Sequence, residues 1–296
     1  MKTAFALLLL AFAFFTRPLA AESVSFTTLN CYWFLGEEAS AAAEKPRTTE
    51  EYSLKAGHLI GLLPADAPLF IGLQEIGNDK DVLALANAAS RRYRRSYQSL
   101  FSQGKDSATK QDVGALLDAS RGWGVYGKAS RSSDLEKELS KHLVARLTNA
   151  VAKLDVCVVH LRVPRDADGA AKQVEQNRAL LRWAMRHLAA DPAANVIILG
   201  DFNEGKRPGN GKQALSVLFQ ARPPLVDTLA AFPGKPQTHG NGNAYDRILI
   251  SDALAQGHSR LKFQTLVIGT HSHGRGDTRR LYTDHFPVTA IFDAKK

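Results

Sequence analysis

Apolar and polar residues follow one another along the chain in blocks that predict many strands and few helices. Apolar or alternating runs predict strands at residues 24–30, 69–73, 113–117, 143–148, 154–159, 195–199, 248–250, 261–268 and 287–292. Helical spacing of apolar positions predicts helices at residues 48–62, 79–89 and 170–190. Because these elements do not alternate regularly, the pattern indicates mixed sheets covered by helices.

The first 21 residues are interpreted as a secretory signal peptide. Lys2 precedes an apolar stretch over residues 4–15, and Leu19-Ala20-Ala21 offers a small-residue cleavage site. The stretch is too short to cross a bilayer, and no later segment is apolar enough to form a transmembrane segment. We therefore expect a soluble exported protein, periplasmic or secreted, whose fold begins at residue 22.

The rest of the chain is basic. The formal charge of +9 falls to +7 when Lys2 and Arg17 leave with the signal peptide. A basic surface favours polyanions such as nucleic acid, anionic lipid headgroups or the cell envelope. Charge alone does not choose among them.

The sequence contains only two cysteines, Cys31 and Cys157, so no disulfide framework holds the fold together. On the predicted strands they lie about four residues apart along the strand axis. At roughly 3.3 Å per residue, that separation is too large for a disulfide bond. Both are expected to be free thiols packed in the core.

Polar side chains stand at the ends of several predicted strands. Four apolar strands end at, or run into, Asn30, Glu75, His160 and the pair Asp201 and Asn203. Two later strands have the reverse order, because Asp246 precedes one and Asp284-His285 precedes the other. If these two strands run antiparallel to the first four, all six polar clusters meet at one edge of the sheets.

Such a cluster needs a positive charge. Buried carboxylates that are brought together repel one another unless a cation neutralises them. Oxygen donors with two histidines suit a hard cation such as Mg²⁺, Mn²⁺ or Ca²⁺, and the motifs offer neither a thiolate nor a three-histidine zinc site. A single strand-end Asp would indicate only a turn, whereas six converging clusters indicate a site.

The motifs also occur together in a known family. Asn30, LQE at 73–75, VVH at 158–160, LGDFN at 199–203, YDRI at 245–248 and TDHFPV at 283–288 together resemble the endonuclease/exonuclease/phosphatase family. Its members include deoxyribonuclease I, exonuclease III and inositol polyphosphate 5-phosphatase. The resemblance implies an α/β fold, a four-layer α/β/β/α sandwich of two mixed β-sheets flanked by helices, formed by one domain over residues 22–296.

The resemblance further implies hydrolysis of a phosphate ester with Mg²⁺, or Mn²⁺ or Ca²⁺, as cofactor. Glu75 would be the principal metal carboxylate with Asn30 beside it, and Asp284 would support the metal or His285. Asp201 would orient or deprotonate the attacking water, and Asn203 would hold a phosphate oxygen. His160 would hydrogen-bond the scissile phosphate or assist the leaving oxygen. His285, oriented by Asp246, would act as acid, base or electrostatic clamp.

Two further groups are candidate substrate contacts. Four arginines beside two tyrosines offer positive charge to a nucleic-acid backbone, although such clusters are usually solvated; they are Arg91, Arg92, Arg94 and Arg95. His271 and His273 lie in a glycine-rich loop, which is either solvated or in contact with substrate. The remaining histidines are interpreted as surface or packing residues; they are His58, His142, His187, His239 and His258.

Three functional hypotheses follow. The leading one is an exported, deoxyribonuclease-like enzyme that cleaves DNA or RNA as a monomer, with no stable protein partner. The second is a phosphodiesterase or phosphatase for lipid or inositol phosphates; DRIL at 246–249 is also found in the phosphatase branch, but no extended apolar hairpin is present to enter a membrane. The third is a catalytically silent binding protein, which the intact set of site positions disfavours.

Overall fold

A computed structural model describes residues 23–36, 48–150, 152–204, 211–270 and 281–295 of the chain. The predicted signal peptide at residues 1–21 lies outside the described residues, as do His271 and His273. Within the described part, no helix combines the length and the apolar character needed to cross a membrane.

Two six-stranded sheets form the centre of the protein. The first contains β1 (Ser23–Phe34), β2 (Phe70–Ile76), β3 (Tyr97–Phe101), β4 (Asp112–Asp118), β11 (Leu261–Ile268) and β12 (Val288–Ala294). Its spatial order is β11-β12-β1-β2-β4-β3. Since β1 is parallel to β2 but antiparallel to β12, this sheet is mixed.

The second sheet is built in the same way. It contains β5 (Gly124–Val125), β6 (His142–Thr148), β7 (Lys153–His160), β8 (Val196–Asp201), β9 (Leu225–Asp227) and β10 (Asp246–Ser251). Its order is β5-β6-β7-β8-β10-β9. Here β8 is parallel to β7 and antiparallel to β10, so this sheet is mixed as well.

Helices cover the outer faces of both sheets. They are α1 (Thr49–Gly61), α2 (Asp79–Tyr93), α3 (Ala167–Ala190), α4 (Gly211–Ser216) and α5 (Asp252–Gln256). Leu59 of α1 and Leu85 of α2 pack with Ile71 of the first sheet, and Trp183 of α3 packs with Ile198 of the second. The predicted four-layer α/β/β/α sandwich is therefore confirmed.

The apolar run that ends at Leu199 is explained by burial of β8 on both faces. Ile197 and Leu199 belong to the apolar core between the two sheets, together with Phe26 of β1. Val196 and Ile198 face the other way and pack under α3. A strand that has a core on each side must be apolar at every position.

The sequence pattern located the long strands and missed the short ones. The two strands that follow Asp246 and Asp284-His285 are β10 and β12. Their predicted antiparallel course is correct, because β10 pairs antiparallel with β8 and β12 with β1. The strands β3, β5 and β9 were not predicted; two of them contain only two and three residues. Such short elements carry too few positions to show a periodicity.

Both cysteines are free and fully buried, as expected. Cys31 packs in the apolar cluster between the first sheet and its helices, and Cys157 packs in the corresponding cluster of the second sheet. Burial raises the pKa of both thiols well above the usual value. The two thiols therefore lie in opposite outer layers of the sandwich and pack as small apolar groups.

His142, at the start of β6, is a packing residue that makes stability dependent on pH. Its Nε2 accepts from Ser132 N at 3.0 Å, and its Nδ1 lies 3.1 Å from Leu139 O. Burial, together with the charge of Arg131, lowers the pKa of His142 to about 4. The unfolded chain thus binds a proton here more readily than the folded chain between about pH 6.5 and 4, so acidification through this window destabilises the fold.

We expect His142→Gln to weaken this pH dependence. The free energy of unfolding from urea titrations should fall by less between pH 7.5 and 4.5 in the variant than in the original protein, with a difference of about 3 kcal/mol or less. His258→Gln, at an exposed histidine, is the matched control and should leave the dependence unchanged. Equal pH dependence in all three proteins would contradict the assignment.

Candidate active site

The two sheets bring their polar strand ends to one edge of the sandwich. In the second sheet, Asp246 at the start of β10 lies opposite Asp201 at the end of β8, and His160 at the end of β7 is the neighbour of Asp201 on the other side. In the first sheet, Asn30 of β1 pairs with Gln74, next to Glu75 of β2. The edge therefore collects polar groups from both sheets.

Asn30 connects the two sheets across the site. Its Nδ2 donates to Glu75 Oε1 and to Asp201 Oδ2, each at 3.0 Å. Its Oδ1 accepts from Tyr32 N at 2.9 Å. In this structure Asn30 thus bridges two carboxylates as a donor and turns its amide nitrogen toward them.

Glu75 is held in a strained position at the end of β2. Its φ is 59°, in the left-handed region that costs a non-glycine residue on the order of 1–3 kcal/mol. Its Oε2 accepts from Trp33 N at 3.0 Å and from Gln111 Nε2 at 2.9 Å. Strain that is maintained by several hydrogen bonds is typical of a functional position.

Gly200 explains why the apolar run of β8 stops before Asp201. Its φ is +150°, and a Cβ at this position would lie 1.9 Å from the carbonyl oxygen of Val159 on β7. Only glycine allows the two parallel strands to approach this closely. This approach sets Asp201 beside His160, where the Asp201 carboxylate is almost fully buried.

Asn203 follows in a tight turn that directs it to the same edge. Its φ is 50°, and its backbone N–H donates to Asp201 Oδ1 at 2.7 Å. One N–H of its side-chain amide donates to Leu161 O at 2.8 Å. The backbone N–H of Asn203 thus orients the Asp201 carboxylate, while the Asn203 side-chain amide contacts the residue that follows β7.

His285 and Asp246 form a buried pair next to Asp201. His285 Nδ1 lies 2.8 Å from Asp246 Oδ2, while its Nε2 lies 3.8 Å from Asp201 Oδ2. Burial alone would lower the pKa of His285, but the charges of Asp246, Asp201 and Asp284 and the hydrogen bond to Asp246 raise this pKa to about 10. His285 is therefore an imidazolium at neutral pH.

Asp201 is a carboxylate of the site whose protonation changes near neutrality. Burial raises the pKa of Asp201 to about 7; the charge of His285 opposes this rise, and the charge of Asp246 adds to it. A carboxylate with such a pKa exchanges protons at the pH of ordinary solutions, which suits a general base.

His160 is neutral, in contrast to His285. Its Nε2 lies 3.9 Å from Glu75 Oε1 and 3.8 Å from Asp201 Oδ2. Burial and the positive charges of Lys141 and His285 lower its pKa well below the usual value. The two predicted histidines thus offer one neutral and one cationic imidazole on either side of Asp201.

Asp284 contacts His239, a residue that the sequence did not single out. His239 Nε2 lies 3.2 Å from Asp284 Oδ2, and the His239 ring packs edge-on against His285 with centroids 4.5 Å apart. His239 Nδ1 accepts from Asn241 N at 3.0 Å, so the Nε2 carries the proton and donates to Asp284. Asp284 Oδ1 itself lies 3.8 Å from His285 Nε2.

The donor set fits a hard divalent cation. Ligand atoms of Glu75, His160 and Asp201 lie within 4.8 Å of one another. Two carboxylates this close repel each other unless a cation lies between or beside them, and their oxygens are donors that Mg²⁺, Mn²⁺ and Ca²⁺ prefer. In addition, the buried Oδ1 atoms of Asp246 and Asp284 have no hydrogen-bond partner among the described residues.

The arginine cluster lies at the other end of the first sheet. Arg92 donates to the carbonyl oxygens of Leu63 at 2.8 Å and Pro64 at 3.3 Å, and Arg95 pairs with Asp118 at 3.2 Å. Asp118 ends β4, whereas Asp112 begins it beside the Glu75 edge, so about 20 Å of strand separates the two ends. Arg91, Arg92, Arg94 and Arg95 are therefore not brought to the site.

Comparison with known proteins supports the fold. No protein-family model and no curated protein sequence matches the chain. Among solved structures, D. rerio TDP2 complexed with single strand DNA product is 16% identical, with a TM-score of 0.60, and the match covers 92% of this chain and 100% of that one. The human Nocturnin catalytic domain with bound sulfate anion is 17% identical, with a TM-score of 0.60 and coverage of 92% and 95%.

A third similar structure is that of an endonuclease/exonuclease/phosphatase from Bacteroides vulgatus. It is 12% identical, with a TM-score of 0.61, and the match covers 93% of this chain and 100% of that one. The chain has the fold of these proteins. The predicted resemblance to the endonuclease/exonuclease/phosphatase family is thereby confirmed at the level of the fold.

Proposed function

We propose that the protein is a divalent-metal-dependent phosphodiester hydrolase, and that its substrate is DNA or RNA. The observation that carries the proposal is the arrangement around Asp201. This buried carboxylate shares the Asn30 donor with Glu75 and stands between a neutral and a cationic histidine. Hydrolysis of a phosphodiester needs the same parts: charge neutralisation, an oriented water and proton transfer.

Glu75 would be the principal ligand of the cation, with Asn30 fixed between it and Asp201, and Asp284 would lie beside His285. The bound cation would neutralise charge on the phosphate oxygens. Asp201 would take a proton from the attacking water as the oxygen of that water forms its bond to phosphorus. The second N–H of the Asn203 amide would donate to a phosphate oxygen, since the first donates to Leu161.

The two histidines of the site would also act on the phosphate. His160, which is neutral, would donate a hydrogen bond to the scissile phosphate. His285, as an imidazolium oriented by Asp246, would stabilise the negative charge and supply the proton that the leaving oxygen takes when its bond to phosphorus breaks. A long polyanionic substrate is supported by the basic charge of the chain, +9 over its full length.

Incubation with supercoiled plasmid tests the proposal. In Mg²⁺ or Mn²⁺ we expect nicking of the plasmid, and we expect no nicking with EDTA or with the Asp201→Ala protein. Intact plasmid under all conditions would contradict a DNA endonuclease. The same protein would then be tested on RNA and on lipid and inositol phosphates, the second hypothesis from the sequence.

We also propose that the protein is exported as a monomer after cleavage behind residue 21. The supporting observation is the charged, then apolar, then small-residue order of the N-terminus. N-terminal sequencing of the mature protein should begin at Glu22, and its mass in solution should correspond to one chain. A retained N-terminus in exported fractions would contradict the cleavage site.

A further inference from the structure

The two oxygens of the Glu75 carboxylate have different surroundings. Oε2 accepts two N–H groups, from Trp33 N at 3.0 Å and from Gln111 Nε2 at 2.9 Å. Oε1 accepts one, from Asn30 Nδ2 at 3.0 Å, and faces His160 Nε2 at 3.9 Å. A carboxylate oxygen has about two acceptor positions, so those of Oε2 are filled, while Oε1 keeps one that none of the described residues fills with a hydrogen bond.

The orientation of the Gln111 amide is fixed by a positive charge. Gln111 is buried, and its Oε1 accepts from Lys141 Nζ at 3.2 Å. If the amide were reversed, its oxygen would face the Glu75 carboxylate and its NH₂ would face the ammonium of Lys141. Both contacts would be repulsive, so Lys141 fixes the amide in the orientation in which Gln111 Nε2 donates to Glu75.

Lys141 directly precedes β6 and is in turn held by Asp106, which lies in the loop between β3 and β4. Its Nζ lies 3.1 Å from Asp106 Oδ2. Asp106 Oδ1 accepts the backbone N–H groups of Ala108 and Thr109, at 3.0 and 3.2 Å. A continuous polar chain thus runs from Asp106 through Lys141 and Gln111 to Glu75.

We propose that Gln111, held by Lys141, restricts Glu75 to ligation through one oxygen and thereby favours Mg²⁺ or Mn²⁺ over Ca²⁺ at this site. Ca²⁺ accepts more ligands at longer distances and commonly takes both oxygens of a carboxylate. Mg²⁺ requires a small octahedral arrangement and keeps several waters. The inference rests on the proposed function only in placing the cation at Glu75, and it makes Gln111 a positioning residue.

Direct cation binding by the full chain tests this selectivity independently of turnover. Titration calorimetry with Mg²⁺, Mn²⁺ and Ca²⁺ would compare the original protein with Gln111→Met, which keeps the length of the side chain and removes its donors. We expect the ratio of Mg²⁺ to Ca²⁺ affinity to fall by about tenfold, the low end for loss of a group that orients a ligand. Gln103→Met is the matched control, since Gln103 lies in the same loop and donates to another carboxylate, Asp112 Oδ2, at 2.7 Å.

A second variant keeps the test decisive if Gln111→Met does not fold. Lys141→Met should shift the selectivity in the same direction by a smaller factor, because the amide of Gln111 then loses its fixed orientation. Equal losses for all three cations, or an unchanged ratio in the folded variants, would overturn the proposal. Failure of the original protein to bind any of these cations would instead contradict the metal dependence in the proposed function.

Discussion

Replacing Asp201 by alanine is expected to lower kcat/KM for phosphodiester hydrolysis by at least about 10²-fold, the low end for a general acid–base group. The carboxylate is buried among the strand ends of the site, and its pKa of about 7 allows it to accept a proton at neutral pH. Asp201→Asn keeps the shape of the side chain but cannot accept the proton. It should therefore lose a similar factor in an assay of plasmid nicking under single-turnover conditions.

Asp201→Asn should not be less stable than the original protein, and this separates catalysis from folding. A carboxylate whose pKa rises on folding is ionised less readily in the folded state, so above pH 7 its charge opposes folding. The Tm of metal-free Asp201→Asn at pH 8 should therefore equal or exceed that of the original protein. Asp155→Asn is a matched control, because Asp155 is a carboxylate on the neighbouring strand that pairs with Arg146, and its kcat/KM should change little. Turnover near the original level in Asp201→Ala would overturn the assignment.

The parts of the site that the sequence predicted are those fixed by strand direction. An apolar run that ends in Gly200 and Asp201 indicates a buried strand with a polar end, and the reversed order at Asp246 indicates a strand that leaves the same edge. Once β10 is antiparallel to β8, the two carboxylates lie at the same edge, and the register of the two strands sets them opposite each other. Simple alternation rules are sufficient for this inference, since strand register decides the contact.

Gln111, Lys141 and His239 could not be found in this way. Each reaches the site from a loop or from the residue just before a strand, and its partner depends on how the loop folds back. Gln111 precedes β4 and contacts Glu75, which is 36 residues earlier in the chain. His239 contacts Asp284 through a local turn in which Asn241 N fixes its tautomer. No periodicity encodes such contacts.

The arginine cluster is a signal of local composition, and the fold places it away from the site. The helix predicted to end at residue 89 continues to Tyr93, so Arg91 and Arg92 lie in its last turn. Cations are favourable there because they interact with the partial negative charge of the helix C-terminus. Arg92 also donates to carbonyl oxygens that follow α1, including that of Leu63. The local role of Arg92 is thus to donate hydrogen bonds to backbone carbonyl oxygens.

Replacing His285 by alanine is expected to reduce kcat/KM by at least about 10²-fold as well, and its charge makes a further prediction about pH. Between the pKa of Asp201, about 7, and that of His285, about 10, the first is ionised and the second protonated. Activity should therefore rise with pH through the lower value and fall through the upper one. Values of kcat/KM for a chromogenic phosphodiester between pH 5.5 and 10.5 would measure both limbs.

Asp246→Asn tests the origin of the upper limb. The negative charge of Asp246 and its hydrogen bond, 2.8 Å from His285 Nδ1, are among the causes of the raised pKa of His285. With a neutral partner, His285 should lose its proton at lower pH, so the alkaline limb should move downward by at least about one unit if the pair contributes on the order of 1.4 kcal/mol. The acidic limb should not move to higher pH, because removal of the Asp246 charge also removes a cause of the raised pKa of Asp201. An alkaline limb that stays in place in Asp246→Asn would show that His285 is not the cationic group, and the clamp role would then have to pass to another residue.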